Sequence, residues 1–258
     1  MKLVVTEKND AAQKIADLLG VKKPKADKVY STPVYRFDVD GEEWVTIGLR
    51  GHILEPDFTP TMVYKKRGGW QGVTEEGETF PAKLPATLPK PPFKKKKPFT
   101  EDGVELKTWK MDALPYLVYA PIKKLPKEKE IIRSLKNLAK KADSVIIATD
   151  FDREGELIGS DALSCIQEVN PDAPVSRARY SAFTKEEITH AFDNLVELDV
   201  NLASAGASRQ DIDLIWGAVL TRYLTLVKFA GYGNVRSSGR VQTPTLALIV
   251  ARERERLA

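Results

Sequence analysis

The chain has 258 residues, 42% of them hydrophobic, with 40 Lys plus Arg against 36 Asp plus Glu and a net charge of +4. That length allows a buried core in one or two domains, and so even a charge balance says little by itself about a polyanionic partner. A single cysteine, Cys165, excludes an internal disulfide framework and a cysteine-based zinc site. No run approaches the roughly 18 apolar residues of a membrane span, and MKLVVTEKND is charged too soon for a signal peptide. A soluble protein of the reducing cytoplasm is expected.

KLVVT (2–6) reads as a short buried strand, followed by a helix that Asn9 or Asp10 can cap, with Ile15, Leu18 and Leu19 at helical spacing. VYRFDVDGEEWVTIGL (34–49) has the pattern of a hairpin turning at Asp40-Gly41. From about 55 to 126 the character changes. Prolines cluster there, with Gly68-Gly69 and the basic run FKKKKPF at 93–99, and the stretch reads as a long, partly mobile insertion. Regular structure resumes at EKEIIRSLKNLAKKA (128–142), with Ile131, Ile132, Leu135 and Leu138 on one helical face. SVIIAT (144–149) is a continuous apolar strand of the parallel-sheet kind. Beyond it Leu157, Ile158, Ala162, Cys165, Ile166 and Val169 line a helix. Strand–helix units on both sides of the insertion predict a doubly wound α/β domain over residues 1–175.

RARYSAF (177–183) leads into the capping-box pattern Thr184-Lys185-Glu186-Glu187, whose helix carries Ile188, Phe192, Leu195 and Val196 inward. A longer helix at about 207–228 has Ile212, Ile215, Trp216, Val219, Leu220, Tyr223 and Val227 as its apolar stripe. The loop GYGNVRSSGR then reaches Thr243-Pro244, a cap with a first-turn proline, and a last helix TLALIVARERERLA. Residues 176–258 therefore predict a smaller, mainly helical domain.

DFDREGE (150–156) places four carboxylates in seven residues where the apolar strand ends. Asp150 and Asp152 alternate and can share a face, and Glu154 and Glu156 open the next helix. Ligands of open α/β sheets bind at the carboxyl ends of strands. Glu7 stands at the end of the first strand, and faces the two aspartates if the strands are neighbours. Such hard oxygen donors suit Mg²⁺. The alternative is a solvated turn whose acids favour a helix N-terminus.

The strand ending in Glu7-Lys8, with ATDFDREGE downstream, resembles the TOPRIM domain of type IA DNA topoisomerases. GLRGHILE (48–55), RARYSAFTKEEI (177–188), ASRQDIDLIWGAVLTRYL (207–224) and SSGRVQTPTLALIVARERE (237–255) resemble successive segments of those enzymes, and the start LVVTEKNDAAQKIADLLG (3–20) is most similar to the topoisomerase III and archaeal branch. The 55–126 stretch is unmatched. SGRVQTPTL is the most specific of these signals.

The resemblance implies an isomerase that passes DNA through a transient break made by a tyrosine. It implies Glu7 as acid/base for the leaving 3′ oxygen and Lys8 as the charge on the phosphate. Asp150, Asp152 and Glu154 become ligands of Mg²⁺, with Glu156 a weaker candidate. It also implies single-stranded DNA contacts by Arg177, Arg179, Ser181, Arg209, Arg236, Arg240, Gln242 and Thr243, arginines and helix N-termini being good phosphate partners. The plainer reading has Arg209 paired with Asp213 and Arg240 flanking a turn. FKKKKPF suits either sequence-independent DNA contact or solvent. His52 reads as a structural hydrogen-bonding residue, and Trp216 as core. None of the eight tyrosines sits in a context resembling the nucleophile's motif, so the expectation is an N-terminal part whose tyrosine domain lies elsewhere. Two further readings stay open: a TOPRIM nuclease or primase module, and a non-catalytic DNA-binding piece.

Overall fold

The computed structural model describes residues 1–228 and 234–258. The first three residues of the expected GYGNVRSSGR loop, Tyr232 among them, thus lie outside the described residues. Two compact units form, one from residues 1–55 and 125–208, the other from 56–124 and 209–258.

In the first unit, β1 (Lys2–Thr6) sits at the centre of a six-stranded sheet. With β2 (Lys25–Val29), β3 (Thr32–Val39), β4 (Glu42–Gly48), β11 (Ser144–Ile147) and β12 (Val175–Arg177), the order is β12-β11-β1-β4-β3-β2. β12, β11, β1 and β4 run parallel, while β3 and β2 close one edge antiparallel. The β3–β4 hairpin turns at Asp40-Gly41, as its sequence predicts. Both residues have positive φ (52° and 84°), the mirror-image geometry that matches strand twist.

Alternation along the strands sorts the core into two layers. Leu3, Val5, Val145 and Ile147 face α3 (Lys129–Ala139) and α4 (Arg153–Gln167), meeting Ile131, Leu135, Ile158 and Ile166. Val4, Ile146 and Ala148 face α1 (Asn9–Leu19) and α5 (Lys185–Asp193), meeting Ile15, Trp44, Tyr180 and Ile188. A mostly parallel sheet with helices on both faces is the fold class that the strand–helix pattern predicts. Gly206, in α6 (Val200–Val227), has no room for a side chain, because a Cβ would stand 2.7 Å from the Arg153 carbonyl.

Several local expectations are corrected. Asn9 and Asp10 lie inside α1, and Lys8 holds the cap position without a side-chain bond, because Asn9 instead donates to the Tyr35 hydroxyl at 3.0 Å. Thr184 does cap α5, accepting from the Glu187 amide at 3.3 Å. Leu195 and Val196 fall beyond that helix and are exposed. β12 pairs with β11 and α5 packs on the sheet, so this unit continues past residue 175.

The 55–126 stretch carries strands and a core of its own. β5 (Leu54–Phe58) pairs with β10 (Ile122–Pro126). β6 (Thr61–Lys65), β7 (Gly69–Val73), β8 (Thr79–Ala82) and β9 (Gly103–Glu105) form a sheet in the order β8-β7-β6-β9. Met62, Trp70, Val104 and Leu106 bury against Tyr116 and Leu117 of the short helical segment around α2 (Leu114–Leu117), with Val219 and Leu226 of α6 packed alongside. Phe93 and Phe99 join Trp70 and Tyr116 in this aromatic cluster, so the phenylalanines of FKKKKPF are anchors while Lys94–Lys97 stay exposed. Trp216, expected in the core, is 51% exposed. α7 (Gln242–Leu257) ends the described chain, and no helix among the described residues is long and apolar enough to cross a membrane.

Candidate active site

β1 and β11 are parallel neighbours, with Val5 opposite Ile147. The segments that follow them, Glu7-Lys8 and Asp150–Glu156, therefore emerge at the same carboxyl edge of the sheet. A third segment joins them after β4. The Leu49 amide donates to the Thr6 carbonyl (3.0 Å) and the Gly51 amide to the Glu7 carbonyl (2.9 Å). Arg50 and Gly51 both take positive φ (61° and 92°) to make that turn. The turn brings His52 to the edge, its Nε2 3.4 Å from Glu154 Oε2. That contact is not legible from RGHILE alone, because it depends on β4 adding beside β1.

The Lys8 ammonium stands between two carboxylates, 3.1 Å from Glu7 Oε1 and 3.4 Å from Asp150 Oδ2. The hydrogen bond to Glu7, reinforced by the charges of Glu7 and Asp150, holds the Lys8 ammonium above its usual range, so it stays charged. Glu7 is largely buried while Lys8 is mostly exposed.

The acidic loop is held from below. Asp152 caps α4, its Oδ1 accepting from the Gly155 amide at 2.7 Å. The Thr149 hydroxyl donates to the Gly155 carbonyl at 2.7 Å, and the Tyr180 hydroxyl to the Ala148 carbonyl at 2.7 Å. Burial, then the nearby Asp150 charge, pushes the Tyr180 phenol far up from its ordinary value. Gly155 is required by space, since a Cβ there would stand 2.0 Å from the Asp150 carbonyl oxygen.

The expected cation ligands thus share one edge, and their oxygens are the right chemistry for a hard ion. The Lys8 ammonium already occupies a position between two of the acids. As the side chains are placed, however, no three His, Cys, Asp or Glu groups among the described residues stand close enough to hold a metal ion. The set is gathered at one edge but is not a ready-made cage. Glu156, the weaker candidate, is corrected outright: it is 0% exposed and its Oε2 accepts from Arg177 Nε at 3.1 Å.

Arg177 is corrected with it. Its side chain is 0% exposed, so no phosphate can reach it. Beyond Glu156 its guanidinium donates to the backbone carbonyls of Asp150 (3.0 Å), Ile147 (3.4 Å) and Ala178. A strand-end arginine two residues before another looks like a phosphate ligand in sequence, and only the sheet position shows that it points under the loop. Arg179 is partly exposed, 3.8 Å from Glu156 Oε1 and 4.0 Å from Asp199, with its guanidinium over the exposed Phe151 ring. Ser181 binds Glu187 Oε1 through both its amide and its hydroxyl, at 3.1 and 3.0 Å.

In the second unit, Asp213 organises the expected basic residues. Arg240 makes a two-pronged pair with it, at 2.5 and 3.0 Å, and Arg209 Nε lies 3.9 Å away. Arg240 raises no surprise as a charged group, since the hydrogen bond to Asp213 strengthens its guanidinium's hold on its proton. α7 starts at Gln242, one residue earlier than the expected cap. Thr243 still serves that end, its hydroxyl accepting from the Gly239 amide at 3.2 Å, and Gln242 Oε1 accepts from the Ser237 hydroxyl at 3.2 Å. Arg236 has an exposed side chain and an amide bonded to the Thr225 hydroxyl at 3.0 Å.

Residues 2–183 match the Toprim domain family. The chain belongs to the Toprim family. Residues 197–258 of this Toprim chain match a second family, described as DNA topoisomerase. Among curated relatives, DNA topoisomerase 1 of Archaeoglobus fulgidus is 40% identical over 257 residues, covering 98% of this chain and 31% of its own length. DNA topoisomerase 3-alpha of Homo sapiens is 30% identical over 261 residues, covering 97% of this chain and 22% of its own. The chain therefore spans under a third of these relatives. Topoisomerase I of Thermotoga maritima has the same fold, with a TM-score of 0.53 at 22% identity over 98% of this chain and 30% of that one.

Proposed function

We propose that this chain is the Toprim-bearing, acid/base part of a type IA DNA topoisomerase, working with a tyrosine supplied from outside residues 1–258. The observation that carries the reading is the Lys8 ammonium held between Glu7 and Asp150 at the edge shared by two neighbouring parallel strands. Phosphoryl transfer needs mainly positioning and charge neutralisation, and this edge offers a fixed cation beside a carboxyl group. As the tyrosine oxygen–phosphorus bond forms and the bond to the 3′ oxygen breaks, the Glu7 carboxylate takes up a proton from water and passes it to that leaving oxygen. The tyrosine's own proton passes to water. In religation Glu7 takes the proton back. Lys8 neutralises a non-bridging phosphate oxygen throughout. Asp150, Asp152 and Glu154 would hold Mg²⁺, which supplies further positive charge to the phosphates. Arg179, Ser181, Arg209, Arg236, Arg240, Gln242 and Thr243 are the proposed contacts to a single strand of DNA.

Mg²⁺ binding by calorimetry and single-strand binding by fluorescence anisotropy test this together. Asp150→Asn with Asp152→Asn should weaken Mg²⁺ binding at least tenfold, and Arg240→Ala should weaken DNA binding while leaving Mg²⁺ binding unchanged. Unchanged Mg²⁺ affinity in the double variant would refute the metal assignment. End-labelled DNA incubated with Mg²⁺ and then denatured should leave no label on the protein. Label on the protein would place the nucleophile within this chain, and nicking without any adduct would favour a nuclease.

A further inference from the structure

A second basic surface lies in the first unit, lined by none of the residues of the acidic edge. Lys129, Arg133 and Lys136 of α3, with Lys140 at its C-cap, recur at helical spacing, within about 60° of one another around the axis at 3.6 residues per turn. Together with Tyr30 and Asn137 they line a cavity of about 490 Å³. Lys136 pairs with Glu168 at 2.6 Å. Lys129, Arg133 and Lys140 have no carboxylate within ion-pairing distance among the described residues. A row of lysines on a helix is ordinarily just a solvated face. Here an aromatic side chain has been built into the row.

Tyr30 sits in the turn between β2 and β3 with φ of 52°, an uncommon conformation for a bulky residue, sustained only where the surroundings impose it. Ser134, on the buried side of α3, imposes it. Its hydroxyl stands 2.8 Å from the Val29 carbonyl and shares a hydrogen bond of 2.8 Å with the buried Thr32 hydroxyl, so both ends of the turn are tied to the helix. The Tyr30 ring therefore lies against the Arg133 guanidinium, 4.1 Å from it, yet stays 49% exposed.

We propose that this groove binds a segment of single-stranded nucleic acid, independently of sequence and separately from the contacts proposed above. An exposed aromatic face beside cations is what such a strand uses: bases stack on the ring, and phosphates meet Arg133 and the lysines. The row from Lys129 to Lys140 spans about 16 Å at 1.5 Å per residue, enough for several nucleotides. Duplex DNA would use the charges but not the ring.

The test uses the whole chain and a fluorescent oligothymidylate, titrated at several salt concentrations. Lys129→Ala/Arg133→Ala/Lys140→Ala should lower the slope of log affinity against log salt by about two, from three lost contacts at roughly 0.7 each. Tyr30→Ala should weaken single-strand binding at least fivefold with the salt slope unchanged. Both effects should persist in an Arg240→Ala background, which separates them from failure of the proposed function. An iodouracil-substituted strand should crosslink to the peptides carrying Tyr30 or α3. The substituted residues Tyr30, Lys129, Arg133 and Lys140 are all exposed, so circular dichroism should show the variants folded. Wild-type affinity and slope in the triple variant would overturn the proposal. So would equal binding of duplex with no effect of Tyr30→Ala, or loss only of binding to phosphatidylserine vesicles.

Discussion

Removing either member of the Arg177–Glu156 pair should destabilise the first unit far more than any surface ion pair would. Both side chains are 0% exposed, and Arg177 Nε donates to Glu156 Oε2 at 3.1 Å. Arg177→Met leaves the Glu156 carboxylate buried, with Arg179 3.8 Å from its Oε1 as the remaining cation. Breaking a buried pair in this way costs about 3–5 kcal/mol. Arg177 also donates to three carbonyls around the acidic loop, each such bond being worth about 1 kcal/mol. The double change Arg177→Met/Glu156→Met should therefore recover part of the loss but not all of it. Arg177→Lys should rescue poorly, because an ammonium cannot span the fork of acceptors. Native-state hydrogen exchange of peptides from β11 and α4 reads this in the unit concerned. At about 1.4 kcal/mol per tenfold, exchange should speed up roughly a hundred- to several-thousand-fold in each single variant. A cost under about 1 kcal/mol would refute the reasoning. So would a double variant whose loss equals the sum of the single losses, since the pair would then have no coupling.

Gly155→Ala should lower stability by about 1–3 kcal/mol or more, measured by urea denaturation, because the new methyl would overlap the Asp150 carbonyl; a neutral result would mean that the loop moves freely. The Tyr180 phenol has a folded pKa raised above the unfolded value of about 10, so its contribution to stability is complete below pH 10 and falls away as pH rises beyond it. Tyr180→Phe should accordingly lose less stability than the wild type between pH 10 and 12, and parallel curves would count against that burial. Burial likewise pushes the Cys165 thiol up, so a disulfide reagent at pH 8 should label it only after unfolding; rapid labelling of the native chain would contradict the packing of α4.

The first unit was largely legible in the sequence because its signals are local. Unbroken apolar runs mark β1 and β11, helical spacing marks α3 and α4, and Asp40-Gly41 marks a turn whose geometry demands such residues. The acidic edge was legible for the same reason, since a strand end fixes where the next residues emerge once the strands are neighbours. Tertiary structure alone decided the rest. Arg177 and Glu156 look like surface charges until β12 is laid beside β11, which turns both under the loop. His52 reaches Glu154 only because β4 adds in parallel to β1. The 55–126 stretch reads as a long, partly mobile insertion because prolines and glycines interrupt its apolar residues. Met62, Trp70, Val104 and Tyr116 make a core only when four short strands and α2 gather them from distant positions, and no local pattern encodes that meeting.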